Sequence, residues 1–189
     1  MVDRVESMPP PGPPVAIYVG LARAAKVDEA LRDLVEVGVD TVVIFEAGRS
    51  VARWDDRRRR AARDRWATIA RSAAKQSHRA WLPEVVGPLL IGDAVDQAAA
   101  RAGARGQGVI AVPGVEARLT DVLRALPAQS GDGPLWAVVG PEGGLAPDEV
   151  AAFTAAGATP AGLGDQILRA ETASVVVAAL VLHHVGRLG

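Results

Sequence analysis

Three charged side chains beside glycine-rich turns are the best candidates for chemistry in this sequence. Glu142 lies in the stretch VVGPEGGLAPDE (138–149), and Arg169 and Glu171 lie in LGDQILRAETAS (163–174). Glycine lets a ligand approach the bare main chain, and a helix that begins at such a turn points unpaired N–H groups into it. A carboxylate can relay a proton, and an arginine can stabilise a developing anion. The two stretches therefore predict either a small-molecule site or two tight turns pinned by a pair between Arg169 and one of the glutamates.

The glycine-rich turns lack the patterns of several common sites. The sequence has no G-x-G-x-x-G after a strand, no G-x-x-x-x-G-K-[ST] and no G-x-S-x-G. These absences argue against a nucleotide-phosphate loop and against a serine hydrolase. A phosphate would also be repelled by Glu142. A neutral or cationic ligand that is recognised by backbone amides and carbonyls fits better. S-adenosylmethionine, which carries an adenine, a sulfonium and an ammonium group, is compatible with such a pocket.

The elements that must position these turns alternate between short β-branched runs and helical patterns. This alternation predicts an α/β domain with a largely parallel sheet, and ligands of such sheets bind beyond the carboxyl ends of the strands. Pro83 favours an edge position for the third strand. The predicted strands are 15–19, 41–45, 81–86, 108–112, 135–139 and about 158–163. The predicted helices are 26–38, about 57–77, 93–102, 119–126, 147–156 and from about 171 onward. Residues 1–14 are predicted to form a flexible proline-rich tail before a single domain at 15–189, and 127–134 a flexible loop.

Charge is unevenly distributed along the chain. The segment from Arg49 to Arg79 contains eleven basic and three acidic residues, a net charge of +8, whereas the remainder carries −9. A basic segment on an acidic body is typical of a surface that faces a polyanion such as RNA. The same residues also fit a solvated helix face with acid–base pairs at helical spacing, and charge alone does not decide between the two.

Composition excludes other classes of protein. The chain has 189 residues, of which 49% are hydrophobic and 23% charged, with no cysteine and three histidines. Without cysteine there is no disulfide framework, thiolate metal site or cysteine nucleophile, and we expect a cytoplasmic protein without a metal. The longest strongly apolar run, ASVVVAALVL (173–182), is well short of the ~20 residues that a membrane span needs. It predicts a buried helix and no membrane partner.

Together the two glycine-rich motifs resemble a known family. GPEGG followed at this distance by LGDQILRAETA is similar to the RsmE family of SPOUT-class methyltransferases, which methylate N3 of a uridine in small-subunit (16S) ribosomal RNA. The upstream segments EVGVD, AGRSV and KQSHRAWLPEV, the last with Gln76, Arg79 and Pro83, also resemble that family. The resemblance extends from about Val15 to the C-terminus.

The resemblance implies a fold, an assembly and a cofactor site. The fold is a SPOUT-type parallel-sheet domain whose C-terminal segment forms a deep trefoil knot, and the protein is a homodimer that acts on ribosomal RNA or the small ribosomal subunit. S-adenosylmethionine is bound in a bent form against three glycine-rich loops. The implied cofactor-binding residues are Val112, Pro113, Gly114, Val139, Gly140, Pro141, Glu142, Gly143, Gly144, Leu163, Gly164, Ile167, Leu168, Arg169 and Thr172.

The chemistry of uridine suggests roles for the charged residues of that site. N3 is a weakly acidic imide, so an arginine near O2 or O4 would stabilise the anion that develops as the proton leaves. We expect Arg169 to be this group, and Glu142 or Glu171 to be the orienting or basic residue. Arginines outside the loops are expected to contact RNA phosphates. They are Arg49, Arg57, Arg58, Arg60 and Arg79.

Several departures from the family keep alternatives open. Typical members carry an N-terminal RNA-binding barrel of the PUA type, to which the residues before the first predicted strand do not correspond. Ala146 stands where the family has Ser or Thr as N-cap, Gln166 where Arg is common, and Asp33 where Lys is frequent. The alternatives are a SPOUT-type methyltransferase with another RNA substrate and a non-catalytic RNA-binding dimer of the same fold.

Overall fold

The computed structural model describes residues 11–20, 24–50, 54–103, 107–126 and 133–189. Most of the predicted tail (1–14) and of the predicted loop (127–134) lies outside these ranges. Within them, strands and helices alternate as the sequence predicts. The strands are β1 (Val15–Gly20), β2 (Thr41–Glu46), β3 (Glu84–Leu90), β4 (Gln107–Ala111), β5 (Leu135–Val139) and β6 (Ala158–Ala161). The helices are α1 (Ala24–Val37), α2 (Asp56–Gln76), α3 (Ile91–Gly103), α4 (Leu119–Ala125), α5 (Pro147–Ala155) and α6 (Ala170–His184).

The strands of the described residues form one parallel sheet in the order β3-β2-β1-β5-β4-β6. The predicted α/β class with a parallel sheet is therefore confirmed. The chain winds outward from β1 through β2 to β3 and then continues on the other side of β1, so the strand order reverses between β1 and β5. Ligands of open parallel sheets bind beyond the carboxyl ends of the strands at such a reversal. The loop that follows β5 lies at this position.

Helices cover both faces of the sheet, and each face has its own core. Ile17 and its neighbours on one face of β1 pack with α1, α2, α4 and α6, where Trp66 is fully buried. Tyr18 on the other face packs with α3 and α5, next to Trp136 and Phe153. Successive side chains of a strand point to opposite faces, so strands covered on both sides are apolar at almost every position. This is why the strands could be recognised in the sequence as short apolar runs.

The third strand is shifted from its predicted position. The sequence predicts it at 81–86, but it runs from Glu84 to Leu90, at the edge of the sheet next to β2. Pro83 precedes the strand, where its missing N–H removes no ladder hydrogen bond. Trp81 instead donates its indole N–H to Asp40 Oδ1 over 3.0 Å. Trp81 therefore belongs to a cluster around Asp40, Leu82 is 59% exposed, and neither is part of the strand.

That cluster closes the amino end of the sheet. Asp40, which is 8% exposed, accepts a hydrogen bond from the backbone N–H of Val15 over 2.8 Å. Arg187 donates to both carboxylate oxygens of Asp40 and to the carbonyl oxygen of Gly38, the latter over 2.9 Å. The C-terminal segment is thereby joined to the start of β1, at the end of the sheet opposite to the glycine-rich loops.

Candidate active site

A cavity of about 820 Å³ lies beyond the carboxyl ends of the strands. The loops that follow β2, β4, β5 and β6 surround it, because parallel strands bring these loops to one edge of the sheet. All the residues implied as cofactor-binding, with the exception of Thr172, line this cavity. Thr172 lies in the first turn of α6 with an exposed side chain. The lining residues from that set are Val112, Pro113, Gly114, Val139, Gly140, Pro141, Glu142, Gly143, Gly144, Leu163, Gly164, Ile167, Leu168 and Arg169.

The loop after β5 is a tight turn that favours glycine. We call residues 140–146 the glycine loop. Gly144 has φ of 70° and donates its N–H to the carbonyl oxygen of Pro141 over 2.8 Å. This φ lies in the left-handed region, which residues with a Cβ rarely adopt. A Cβ on Gly143 would lie 3.0 Å from the carbonyl oxygen of Arg49, so this glycine makes room for a neighbouring turn as well as for a ligand.

That neighbouring turn, residues 47–50, follows β2 and is called the Arg49 turn. Ser50 closes it twice, since its N–H donates to the carbonyl oxygen of Ala47 and its Oγ accepts from the N–H of Ala47, each over 3.0 Å. The N–H of Gly48 donates to Glu149 Oε1 over 2.7 Å. Arg49 itself is exposed and lines the cavity. The backbone of Arg49 is thus fixed, while its side chain makes no hydrogen bond or ion pair with the part of the chain that the structure describes.

Glu149 is a residue of this site that sequence reasoning did not single out. It is 8% exposed, and its second carboxylate oxygen, Oε2, accepts from the N–H of Ala146 over 2.7 Å. Ala146 is the N-cap of α5 and gives no side-chain cap, as expected from the sequence. Glu149 supplies the reciprocal half of a capping box. Its position three residues after the N-cap was the signal available in the sequence, but the contact with Gly48 depends on the fold.

The exit from β6 is hydrogen-bonded to the loop that follows β4. The N–H of Gly162 donates to the carbonyl oxygen of Ala117 over 2.8 Å, and its own carbonyl oxygen accepts from the N–H of Leu119 over 2.9 Å. The N–H of Val112 donates to the carbonyl oxygen of Ala161 over 2.9 Å. A Cβ on Gly162 would lie 2.3 Å from the carbonyl oxygen of Val115. Only glycine fits where the chain passes this loop.

Two of the three predicted catalytic residues lie at the cavity. Glu142 and Arg169 both line it and are exposed, and neither side chain makes a hydrogen bond or ion pair with the described residues. The alternative interpretation from the sequence, an arginine that merely pins the loop to a glutamate, is therefore not observed. Arg169 occupies the N-cap of α6, and its guanidinium is available to a ligand.

Glu171 lies elsewhere. Its carboxylate is 3.0 Å from Lys26 Nζ, so it joins α6 to α1, and it does not line the cavity. The pKa of Glu171 is lowered, chiefly by a hydrogen bond from its own backbone N–H and further by Lys26, against an opposing effect of desolvation. A carboxylate with a lowered pKa, held by a lysine, is a poor proton acceptor. The expectation that Glu171 serves as an orienting or basic residue is not supported by its position.

The expected RNA-binding arginines separate into two groups. Arg49 is at the cavity, and Arg57, Arg58 and Arg60 are exposed on α2. Arg79 is different because its side chain is only 5% exposed.

The guanidinium of Arg79 is engaged in packing. It donates to the carbonyl oxygens of Val35 and Val39 over 2.9 and 2.8 Å, and it lies 3.7 Å from Asp40 and 4.8 Å from the ring centre of Trp81. Burial lowers the pKa of Arg79, although the neighbouring Asp40 opposes this effect. Arg79 belongs to the cluster at the amino end of the sheet, and its guanidinium is not accessible to RNA.

Two other features are absent from the described residues. No group of three or more His, Asp or Glu side chains in the ranges given above could hold a metal ion. No helix in the same part of the chain is long and apolar enough to cross a membrane.

Comparison with known proteins agrees with this geometry. Residues 10–182 match the RNA methyltransferase domain family. Ribosomal RNA small subunit methyltransferase E from Mycobacterium bovis is 39% identical over 176 residues, which cover 90% of this chain and 63% of that protein. The protein of the same name from Bacillus subtilis is 32% identical over 167 residues, which cover 85% of this chain and 62% of that protein. The chain thus spans less than two thirds of the length of these relatives.

Solved structures extend the similarity to the fold. A ribosomal RNA small subunit methyltransferase E from Neisseria gonorrhoeae, bound to S-adenosyl methionine, superimposes with a TM-score of 0.75 at 25% identity and covers 90% of this chain and 66% of that one. A probable rRNA-methyltransferase from Porphyromonas gingivalis gives a TM-score of 0.73 at 27% identity and covers 96% of this chain and 72% of that one. The chain therefore belongs to the RNA methyltransferase domain family, and the proteins that it resembles include small-subunit methyltransferase E proteins.

Proposed function

We propose that this chain transfers a methyl group from S-adenosylmethionine to N3 of a uridine in small-subunit (16S) ribosomal RNA. The observation that carries the proposal is the convergence of three glycine-rich loops, Glu142 and Arg169 on one cavity at the carboxyl edge of the sheet. Similarity to ribosomal RNA small subunit methyltransferase E proteins, at 39% and 32% identity, supports the substrate class. The small ribosomal subunit is found in the cytoplasm, and we propose the same location for this protein.

The cavity has the size and lining that the cofactor needs. Its volume of about 820 Å³ falls within the roughly 300–1,000 Å³ of small-molecule sites. A Cβ built on Gly114, Gly144 or Gly164 would meet nothing within 4 Å. All three glycines line the cavity, so main chain is presented there with open space in front of it. The Neisseria relative of the same fold binds S-adenosyl methionine, which supports the assignment.

The residues of the three loops would hold the cofactor through backbone amides and carbonyls. S-adenosylmethionine, when bound, supplies an electrophilic methyl group on its sulfonium. The loops after β4 and β5 would provide most of the backbone contacts, and the apolar side chains of Ile167 and Leu168 would cover the bound molecule. Ile167 is 89% exposed, as expected for a side chain that packs only when the site is filled.

Arg169 and Glu142 would act on the uridine. N3 must lose its proton as it attacks, and the negative charge then spreads over O2 and O4. A guanidinium that makes no hydrogen bond or ion pair with the described residues can stabilise this charge without first breaking such a contact. Glu142 would orient the base or accept the N3 proton. Because Glu171 is held by Lys26 outside the cavity, Glu142 is the better candidate of the two glutamates.

The chain is also proposed to be knotted and dimeric. In a trefoil knot the segment after β6 passes through the loop after β4. The hydrogen bonds of Gly162 with Ala117 and Leu119, together with that between Val112 and Ala161, support such a passage because they flank the segment. A second copy of the chain would then cover part of the cavity, and the exposure of Ile167 supports such a cover.

RNA phosphates would contact the outer face of α2. Asp55 caps this helix by accepting from the N–H of Arg58 over 2.8 Å. The side chains of Arg57, Arg58 and Arg60 are exposed and unpaired among the described residues. Since α2 begins just after the Arg49 turn, these cations lie in the same part of the chain as the cavity rim. Phosphate contacts of this kind add affinity that falls as salt rises.

Methyl transfer to purified small subunits tests the proposal. Labelled S-adenosylmethionine is incubated with the chain and with small subunits or naked 16S ribosomal RNA, and the product nucleoside is identified by mass spectrometry. We expect N3-methyluridine at one position, which will also stop reverse transcriptase because N3 lies on the pairing edge of the base. Absence of cofactor binding in a calorimetric titration at high micromolar concentration would contradict the proposal and favour a non-catalytic dimer.

A further inference from the structure

We propose that Glu149 is a positioning residue that holds the Arg49 turn against the glycine loop and thereby fixes the backbone of Arg49 at the cavity, from where its side chain contacts an RNA phosphate. The inference rests on the proposed methyl transfer to RNA and adds to it the residue that sets the geometry of the RNA-facing rim. Glu149 contacts neither substrate nor cofactor in this scheme and acts through Arg49.

The two oxygens of Glu149 bind two different loops. Oε1 accepts from the N–H of Gly48, and Oε2 accepts from the N–H of Ala146, each over 2.7 Å. Gly48 and Glu149 are 101 positions apart in the chain. Hydrogen bonds to an ionised carboxylate are stronger than those between neutral groups. Because Glu149 is only 8% exposed, water competes little for these bonds. One buried side chain thus links the loop after β2 to the loop after β5.

A helix cap alone does not account for this arrangement. Capping α5 needs only the bond to Ala146, which Oε2 provides. Oε1 points away from the helix to the Arg49 turn. Asp148, the preceding residue in the same helical turn, is exposed, so it offers the helix a negative charge without reaching a second loop. The difference between the two acids is the contact with Gly48.

The Arg49 turn is fixed on its other sides as well. Ser50 closes the turn through both its N–H and its Oγ, and Gly143 leaves only enough space for the carbonyl oxygen of Arg49. With its backbone held in this way, the exposed Arg49 side chain has no partner among the described residues. An arginine whose backbone is fixed and whose guanidinium has no partner among the described residues is suited to bidentate recognition of a phosphate. Since Glu142 lies in the glycine loop, Glu149 also fixes the backbone of Arg49 relative to the loop that carries Glu142.

The first experiment detects the link without any reaction. Backbone amide exchange of Gly48 and Ala146 is followed by NMR in the wild type, in Glu149→Gln and in Asp148→Asn, which makes the same charge change one residue away. Gln has one accepting oxygen and an NH2 group that cannot accept, so it can replace only one of the two carboxylate oxygens. We expect exchange at Gly48 or Ala146 to accelerate about tenfold or more in Glu149→Gln and both to stay at the wild-type rate in Asp148→Asn. Wild-type protection of both amides in Glu149→Gln would overturn the proposal, whatever the outcome of the methyl-transfer assay.

The second experiment asks whether Glu149 acts through Arg49. The values of kcat/KM for RNA are compared in Glu149→Gln, Arg49→Gln and the double variant, with Asp148→Asn as the control. We expect each single change to lower kcat/KM about tenfold or more through KM, and the double variant to be no worse than Arg49→Gln because the two residues form one unit. The affinity for S-adenosylmethionine should change by less than about threefold in Glu149→Gln, since the turn of the glycine loop is closed by its own bond. If the double variant lost kcat/KM by the product of the two single effects, action through Arg49 would be refuted. An inactive wild type would refute the proposed function, and the exchange result would then remain as the test of the link.

Discussion

Arg59 Nη2 lies 2.5 Å from Glu46 Oε1, and this pair joins the first turn of α2 to the carboxyl end of β2. The same guanidinium donates to the carbonyl oxygens of Trp54 and Pro88 over 3.1 and 3.0 Å. Within the run of four arginines at the start of α2, one is therefore part of the packing. Arg57, Arg58 and Arg60 are exposed and remain available to a polyanion.

This division predicts different effects within the run. Replacing Arg57, Arg58 and Arg60 together by Gln should weaken RNA binding and reduce the slope of log Kd against log salt by about 1 for each phosphate that is no longer neutralised. The free energy of unfolding should change by less than about 0.5 kcal/mol, as expected for exposed side chains. Binding is measured by fluorescence anisotropy over a range of salt concentrations. Arg124→Gln, at an exposed position on α4, is the control. An unchanged salt slope in the triple variant would contradict the assignment of Arg57, Arg58 and Arg60 to phosphate contacts.

Arg59→Gln should lower the free energy of unfolding and leave RNA binding unchanged. Removing its guanidinium leaves the Glu46 carboxylate, whose side chain is 12% exposed, without its partner, and this typically costs about 1–3 kcal/mol. Denaturant unfolding measures the loss, and we expect the salt slope for RNA to remain that of the wild type. A variant that kept full stability but bound RNA more weakly would place Arg59 with its exposed neighbours.

Replacing Arg169 should separate catalysis from cofactor binding. If its guanidinium stabilises charge that develops on the uridine, Arg169→Ala should lower kcat by about 10²–10³, the usual effect of removing one such donor. Affinity for S-adenosylmethionine, measured by calorimetry, should stay close to that of the wild type because the loops hold the cofactor through main-chain groups. Arg124→Ala serves as the control. Full activity of Arg169→Ala would refute the role.

The sequence predicted the main features of the fold because the strands are buried on both faces. Such strands are apolar at nearly every position, and five of the six lie close to their predicted ranges. The exception, β3, was predicted three residues too early because Trp81 and Leu82 continue the apolar pattern. Trp81 in fact packs in the Asp40 cluster, with its indole N–H on the carboxylate, and local periodicity carries no information on that partner.

The candidate site could be predicted only where main chain forms it. Glycine-rich exits are visible in the sequence, and the cavity is lined by them. Charged side chains were harder to assign, since their role depends on partners that the fold brings from elsewhere. Arg79 is buried against Val35 and Val39, Glu171 is held by Lys26, and Glu149 reaches Gly48. Each of these contacts joins elements that are distant in sequence.

The lowered pKa of Glu171 predicts a dependence of stability on pH. A carboxylate whose pKa is lower in the folded state than in the unfolded state stabilises the fold above its ordinary pKa, and this contribution disappears as pH falls through the folded value. Wild type should therefore exceed Glu171→Gln in free energy of unfolding near neutral pH, and the difference should shrink below the ordinary Glu value of 4.5. Denaturant titrations over a pH series measure it.

One further variant and one assay complete that test. Lys26→Met should retain part of the pH-dependent stabilisation that Glu171 provides, because the backbone N–H that chiefly lowers the pKa of Glu171 remains. Methyl transfer by Glu171→Gln should stay within about twofold of the wild type, since its carboxylate lies outside the cavity. A loss of several orders of magnitude would instead restore Glu171 as a catalytic residue.

The cluster at the amino end of the sheet should dominate stability. Arg187→Met leaves the buried carboxylate of Asp40 with Arg79 at 3.7 Å as its remaining cation, and breaking a buried pair in this way typically costs about 3–5 kcal/mol. Adding Asp40→Asn to Arg187→Met should recover part of this loss, because the uncompensated buried charge is then removed. Denaturant unfolding gives the free energies, and Arg124→Met on the surface of α4 should change stability by less than about 0.5 kcal/mol. If Arg187→Met were as mild as this control, the C-terminal segment would not be held by its contact with Asp40, and the stability of the amino end would have to come from the apolar core around β1 alone.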